Sequence, residues 1–154
     1  SVVLQPSATI FDVGMMVAGL FVVVAAWFVQ RVYGRRSVTI PMAILGVAAF
    51  GVGLFPGNTG TPHALFAMAC FVSGGVAAIS AAIVVSAGFR YLSMALGAIT
   101  LLTLASYLVL GESNPLMALG IGGLERWIVY PIVIWLIAFG AYLLGTAELA
   151  QDDA

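Results

Sequence analysis

Five apolar stretches, each close to the length that crosses a lipid bilayer, take up most of this chain and leave little else from which to build a fold. They cover residues 10–29, 38–55, 62–85, 91–110 and 124–144, where a spanning helix needs about 20 mostly apolar residues. Hydrophobic residues make up 63% of the 154 and charged residues 7%, and the mean hydropathy is +1.18. A soluble domain carries roughly 25% charged residues, so no water-facing coat can be assembled from this inventory. In lipid a helix satisfies its own backbone hydrogen bonds. The expected fold is therefore all-α, a polytopic transmembrane helix bundle of five spans that forms a single domain over residues 1–154. Its expected place is the cell membrane, as a multi-pass integral protein.

Charge sets the expected topology. All five basic residues are arginines, and Arg31, Arg35 and Arg36 share the short loop between the first two runs. Cytoplasmic loops carry the excess of Lys and Arg, so this loop is read as cytoplasmic. Alternation then places residues 86–90, with Arg90, inside and residues 56–61 and 111–123 outside. The N-terminus falls outside, with residues 1–9 as a short external arm, and the tail with Glu148, Asp152 and Asp153 falls inside. The first run does not read as a cleavable leader, because it opens with Asp12 and its arginines follow it. Five spans with an external N-terminus suggest that a preceding span is absent here. Trp127 and Tyr107 at the outer ends and Trp27, Tyr33, Tyr91 and Tyr142 at the inner ends agree with interfacial aromatic belts. Trp135 falls mid-span, where packing is its first reading and a ligand contact its second.

Small residues recur at helical spacing as Gly46, Ala49 and Gly53, as Ser73, Ala77 and Ala81, and as Ala138, Ala141 and Gly145. Such faces let helices approach closely in lipid, which predicts close packing in preference to a transport path. Residues 111–123 are too short for a span and read as a short helix at the outer interface, capped at Asn114. Cys70 sits within an apolar run as a small hydrophobe, and one thiol forms no internal disulfide.

Ionisable groups are expensive within a bilayer, and so are candidates for function. Asp12, His63, Glu112, Glu125 and Arg126 all map to the external side. Each has a structural reading as well. Thr9 and Asp12 fit a capping box, Thr61 and Pro62 fit an N-cap followed by proline at N1, and Glu125 suits a helix N-terminus. Together with Asn58, Thr59, Ser113 and Asn114 they could line an external polar pocket for a lipid headgroup, a small polar ligand or a partner's loop. The function expected is non-catalytic, with membrane lipids as partners, and the further option is a subunit of a larger complex whose partners are other membrane subunits. The alternative is a lipid-modifying enzyme with His63 and either Asp12 or Glu125 as acid and base. With one histidine, bis-histidine haem ligation is excluded. A zinc site would need ligands from separate helices, no serine sits in a strained elbow, and no ionisable group lies mid-span for a proton relay. No metal or other cofactor is expected. A net charge of -1 without a basic stripe excludes nucleic acid as a partner.

The run from Gly53 to Phe66, Gly-Leu-Phe-Pro-Gly-Asn-Thr-Gly-Thr-Pro-His-Ala-Leu-Phe, resembles the central signature of domain-of-unknown-function family 998. So does Gly-Gly-Leu-Glu-Arg-Trp-Ile-Val-Tyr-Pro, from Gly122 to Pro131. The resemblance extends over essentially the whole chain, and the family is distantly similar in architecture to the DRAM and Sfk group of eukaryotic membrane proteins. It implies a sixth, N-terminal span that this chain lacks. It also implies that Asn58, His63, Glu125 and Arg126 occupy motif positions.

Overall fold

The computed structural model describes residues 6–152. The first residues of the expected external arm, 1–5, and Asp153 of the expected tail lie outside the described residues. These residues form five α-helices, α1 (Pro6–Tyr33), α2 (Arg36–Leu54), α3 (Thr61–Ala81), α4 (Ala87–Leu110) and α5 (Ile121–Asp152), with 3-10 turns at Gly57–Thr59, Gly111–Ser113 and Pro115–Leu119. All five helices are long and apolar enough to cross a membrane. The protein is thus a multi-pass membrane protein by the length and composition of its helices. Contacts group the chain into two compact units, Ser1–Ala77 and Ala78–Ala154.

Several helix ends differ from expectation, each for a local reason. Helix α1 spans Pro6–Tyr33 among the described residues, and the fixed φ and missing amide of Pro6 suit a first turn. Thr9 is therefore inside the helix, and the capping box with Asp12 does not form. Helix α3 ends at Ala81, where the amides of Ala82, Ile83 and Val84 turn to carbonyls three residues back, the tightening common at helix termini. The Ser86 carbonyl then accepts from Arg90 N–H at 2.9 Å, so Arg90 lies in the first turn of α4 and not in a loop. Helix α5 begins at Ile121. Gly120, at a φ of 72° that L residues rarely adopt, reverses the chain there, and its carbonyl accepts from Gly123 and Leu124. Glu125 consequently sits beyond the first turn. The short outer helix expected over 111–123 is instead a pair of 3-10 turns.

In the first unit α1 and α2 form an antiparallel hairpin with almost no side-chain layer between their backbones. A Cβ at Gly46 would come within 2.7 Å of the Gly19 carbonyl and 2.8 Å of the Val23 amide. A Cβ at Gly19 would meet the Gly46 carbonyl and the Phe50 amide at 2.5 Å. One end of the seam is closed by Gly53 against the Asp12 carbonyl and Met16. At the other end, the Thr39 hydroxyl donates to Gln30 Oε1 at 2.5 Å. The stripe Gly46, Ala49, Gly53 thus packs as expected. It gains dispersion contacts, the main source of helix association where lipid tails are as apolar as leucine.

The second unit is held differently. Ser93 Oγ donates to the Ala78 carbonyl at 2.6 Å and accepts from Trp135 Nε1 at 2.8 Å, and Thr100 Oγ1 donates to the Ile128 carbonyl at 3.1 Å. Trp135 is 0% exposed, so its packing reading holds. Rings then run from Trp135 to Phe139, Phe89 and Tyr142 at centroid separations of 5.2, 6.2 and 5.0 Å. Tyr142 Oη accepts from the Ser86 amide at 2.9 Å, which ties the start of α4 to the far end of α5. The stripe Ala138, Ala141, Gly145 makes no matching seam. Ala141 is exposed, and a Cβ at Gly145 would meet nothing within 4 Å.

Candidate functional site

In the first unit one ionisable candidate, His63, serves the corner between α2 and α3. The His63 ring donates through Nδ1 to the Phe55 carbonyl at 2.8 Å. Phe55 is the C-cap of α2, so the imidazole satisfies one of the carbonyls that a helix C-terminus leaves open. Phe55 and Phe66 stack across the same corner at 5.4 Å. Both the amide and hydroxyl of Thr59 donate to the Pro56 carbonyl, at 2.8 and 2.7 Å. The Gly60 carbonyl accepts from Ala64 N–H at 3.1 Å, so Gly60 takes the cap position expected of Thr61 and His63 moves one place further into α3. Asn58 is exposed. Asp12 is half-exposed on α1, with its carbonyl against Gly53. His63 therefore has a backbone carbonyl, not a carboxylate, as its observed partner.

In the second unit Asn114 is 3% exposed and caps the Pro115–Leu119 turn, as expected. Its Oδ1 accepts from Leu116 N–H at 2.9 Å and its Nδ2 donates to Ser106 Oγ at 2.9 Å. That pair fastens the loop to α4 and leaves Glu112 and Ser113 exposed. Glu125 and Arg126 are exposed on α5. Consecutive helical residues diverge by about 100°, so only one of the two faces the feature below.

Between α4 and α5 lies a groove of about 640 Å³, within the size range of ligand sites. Its α5 wall is Gly123, Arg126, Trp127, Tyr130, Pro131 and Ile134, and Leu96 and Ile99 of α4 and Leu119 of the 3-10 turn close it. The α5 positions recur at intervals of three and four, which is one helix face. Gly123 is what lets the turn settle on α5, because a Cβ there would overlap that of Leu119. Pro131 lies inside the helix and lacks the amide that would bond the Trp127 carbonyl. Thr100 supplies a neighbouring donor at Ile128, as hydroxyl side chains commonly do around membrane prolines. One cation thus stands at the rim of a groove that is otherwise apolar and aromatic. Among the described residues no group of three or more His, Cys, Asp or Glu side chains could hold a metal ion.

Residues 1–142 match the family described as Protein of unknown function (DUF998). The chain belongs to that family. No curated protein and no solved structure matches it. Both motifs that resemble the DUF998 signature now have a structural place. The run Gly53–Phe66 builds the α2–α3 corner, and Gly122–Pro131 supplies most of the α5 wall of the groove. Of the groove residues, sequence reasoning singled out Arg126 for a site and missed Trp127, Tyr130 and Pro131. Their spacing on one helix face was the available signal.

Proposed function

We propose that this chain is a non-catalytic, multi-pass protein of the cell membrane that recognises a phospholipid in the groove between α4 and α5. The headgroup phosphate meets Arg126, and an acyl chain lies along Leu96, Ile99 and Ile134. The observation that carries this reading is the combination, in one groove, of an exposed guanidinium, two aromatic rings of interfacial type and an apolar floor. A small polar ligand or a partner's loop fits less well, because neither would cover so apolar a lining. Acid–base chemistry at His63 has less support, since its Nδ1 is engaged by Phe55. The arginines at the α1–α2 turn support a cytoplasmic position for that end and an external one for the Arg126 end.

Native mass spectrometry of the chain in mild detergent tests this reading. The wild type is expected to retain a phospholipid. Ile134→Trp, which fills the groove without touching charge, should abolish retention, and Arg126→Gln should weaken it roughly fivefold, the scale of one arginine at a membrane surface. A wild type that carries no lipid, or variants that keep it as the wild type does, would sink the proposal.

A further inference from the structure

We propose a second lipid site, at the arginine end of the α1–α2 hairpin, that takes the headgroup phosphate of an anionic phospholipid. A groove of about 460 Å³ opens there between the two helices. Trp27 and Gln30 form part of one wall and Arg36, Thr39, Ile40 and Ala43 form the other. The Arg31 guanidinium lies over the Trp27 ring at 4.9 Å, a cation–π contact that holds a positive charge on the α1 rim, while Arg36 supplies one from α2. Arg35 adds a third charge in the turn between them. The only acid in residues 1–77 is Asp12, and it sits at the opposite end of the hairpin beside Gly53. The cations are therefore not neutralised within their own unit.

Polar groups in the groove complete a phosphate site. Thr39 occupies Gln30 Oε1, which leaves the Gln30 NH2 as the donor available to an acceptor. Ile40 and Ala43 continue the groove along the helices as an apolar track for an acyl chain. Membrane topology requires arginines in this turn, but it does not require a groove that combines them with an amide donor and an apolar track. An acidic peptide or a nucleic acid would satisfy the charges and leave that track uncovered.

The test uses the full chain in phosphatidylcholine nanodiscs doped with photoreactive phosphatidylglycerol or, separately, photoreactive phosphatidylcholine, with labelled peptides mapped by mass spectrometry. Labelling of residues 23–43 by the phosphatidylglycerol probe should exceed that by the phosphatidylcholine probe at least about fivefold. Arg36→Gln and Arg31→Gln should each lower it roughly fivefold. Ala43→Phe, which blocks the track and keeps every charge, should also lower it, while Arg90→Gln should not. Labelling of α4 and α5 should be unchanged in all four variants, which separates this site from the Arg126 groove. Equal labelling by the two probes overturns the proposal, as does wild-type labelling of Arg36→Gln or Ala43→Phe. So does a loss in Arg90→Gln as large as that in Arg36→Gln, which would mean diffuse surface charge. Displacement of the probe by excess soluble glycerol phosphate overturns it as well, because the ligand would then be a free anion.

Discussion

The hairpins α1–α2 and α4–α5 solve one problem in two ways. Both must hold two apolar helices together in a solvent that gains nothing from burying them against each other. The first does so by removing side chains, so that Gly19, Gly46 and Gly53 bring backbone against backbone, with one polar bond, Thr39 to Gln30, at its end. The second keeps its side chains and threads hydrogen bonds through them, from Trp135 to Ser93 and from Thr100 to Ile128. A glycine seam fixes separation and tolerates nothing added. Hydrogen bonds fix register and tolerate small losses. The two hairpins should therefore differ sharply in how they respond to substitution.

The largest effect is expected at Gly46. Even a methyl group there meets backbone atoms of Gly19 and Val23, and backbone cannot rotate aside as a side chain would. Gly46→Leu should cost upwards of about 3 kcal/mol, the upper range for overpacking a tight site, and Gly46→Ala somewhat less. Equilibrium unfolding in bicelles reads both. If Gly46→Leu unfolds like the wild type, the seam does not hold α1 to α2, and the contrast between the hairpins is lost.

Ser93→Ala should have an intermediate effect. The hydroxyl both donates and accepts, so its removal leaves the Trp135 indole N–H and the Ala78 carbonyl without that partner at a buried position. A loss of about 1–2 kcal/mol is expected. A cycle with Trp135→Phe isolates the pair, and its coupling should fall near the value of about 0.6 kcal/mol typical of interhelical bonds in membranes, with about 1.7 as the ceiling. Zero coupling would mean that ring packing against Phe139, rather than hydrogen bonding, orders this hairpin.

The five helices were legible in the sequence because lipid imposes a length and a composition that few other folds share. Their ends were less so, since Pro6, Gly120 and the turn at 82–85 act through backbone geometry that hydropathy does not register. The corner Phe55–Ala64 was located correctly, and most of its bonds lie between residues close in sequence. Whether His63 meets a carboxylate or a carbonyl was not legible, because it depends on where the Phe55 carbonyl points. The groove was half legible. Its α5 face follows from spacing, but Leu96, Ile99 and Leu119 join it only once α4 and the Pro115–Leu119 turn are folded against α5.

The smallest expected effect sharpens the comparison most, because it asks whether glycine in α5 plays the part that it plays in α2. Gly140 sits inside a long helix, it is exposed, and a Cβ added there would meet nothing within 4 Å. Without a close neighbour, only the flexibility cost of glycine in a helix remains, about 0.5–1 kcal/mol relative to alanine. Gly140→Ala should therefore stabilise the chain by up to that amount in the unfolding assay in which Gly46→Ala destabilises it. The same substitution would then carry opposite signs in the two hairpins. A loss of stability at Gly140 would instead reveal a close partner for that face of α5, and glycine packing would no longer distinguish α1–α2 from α4–α5.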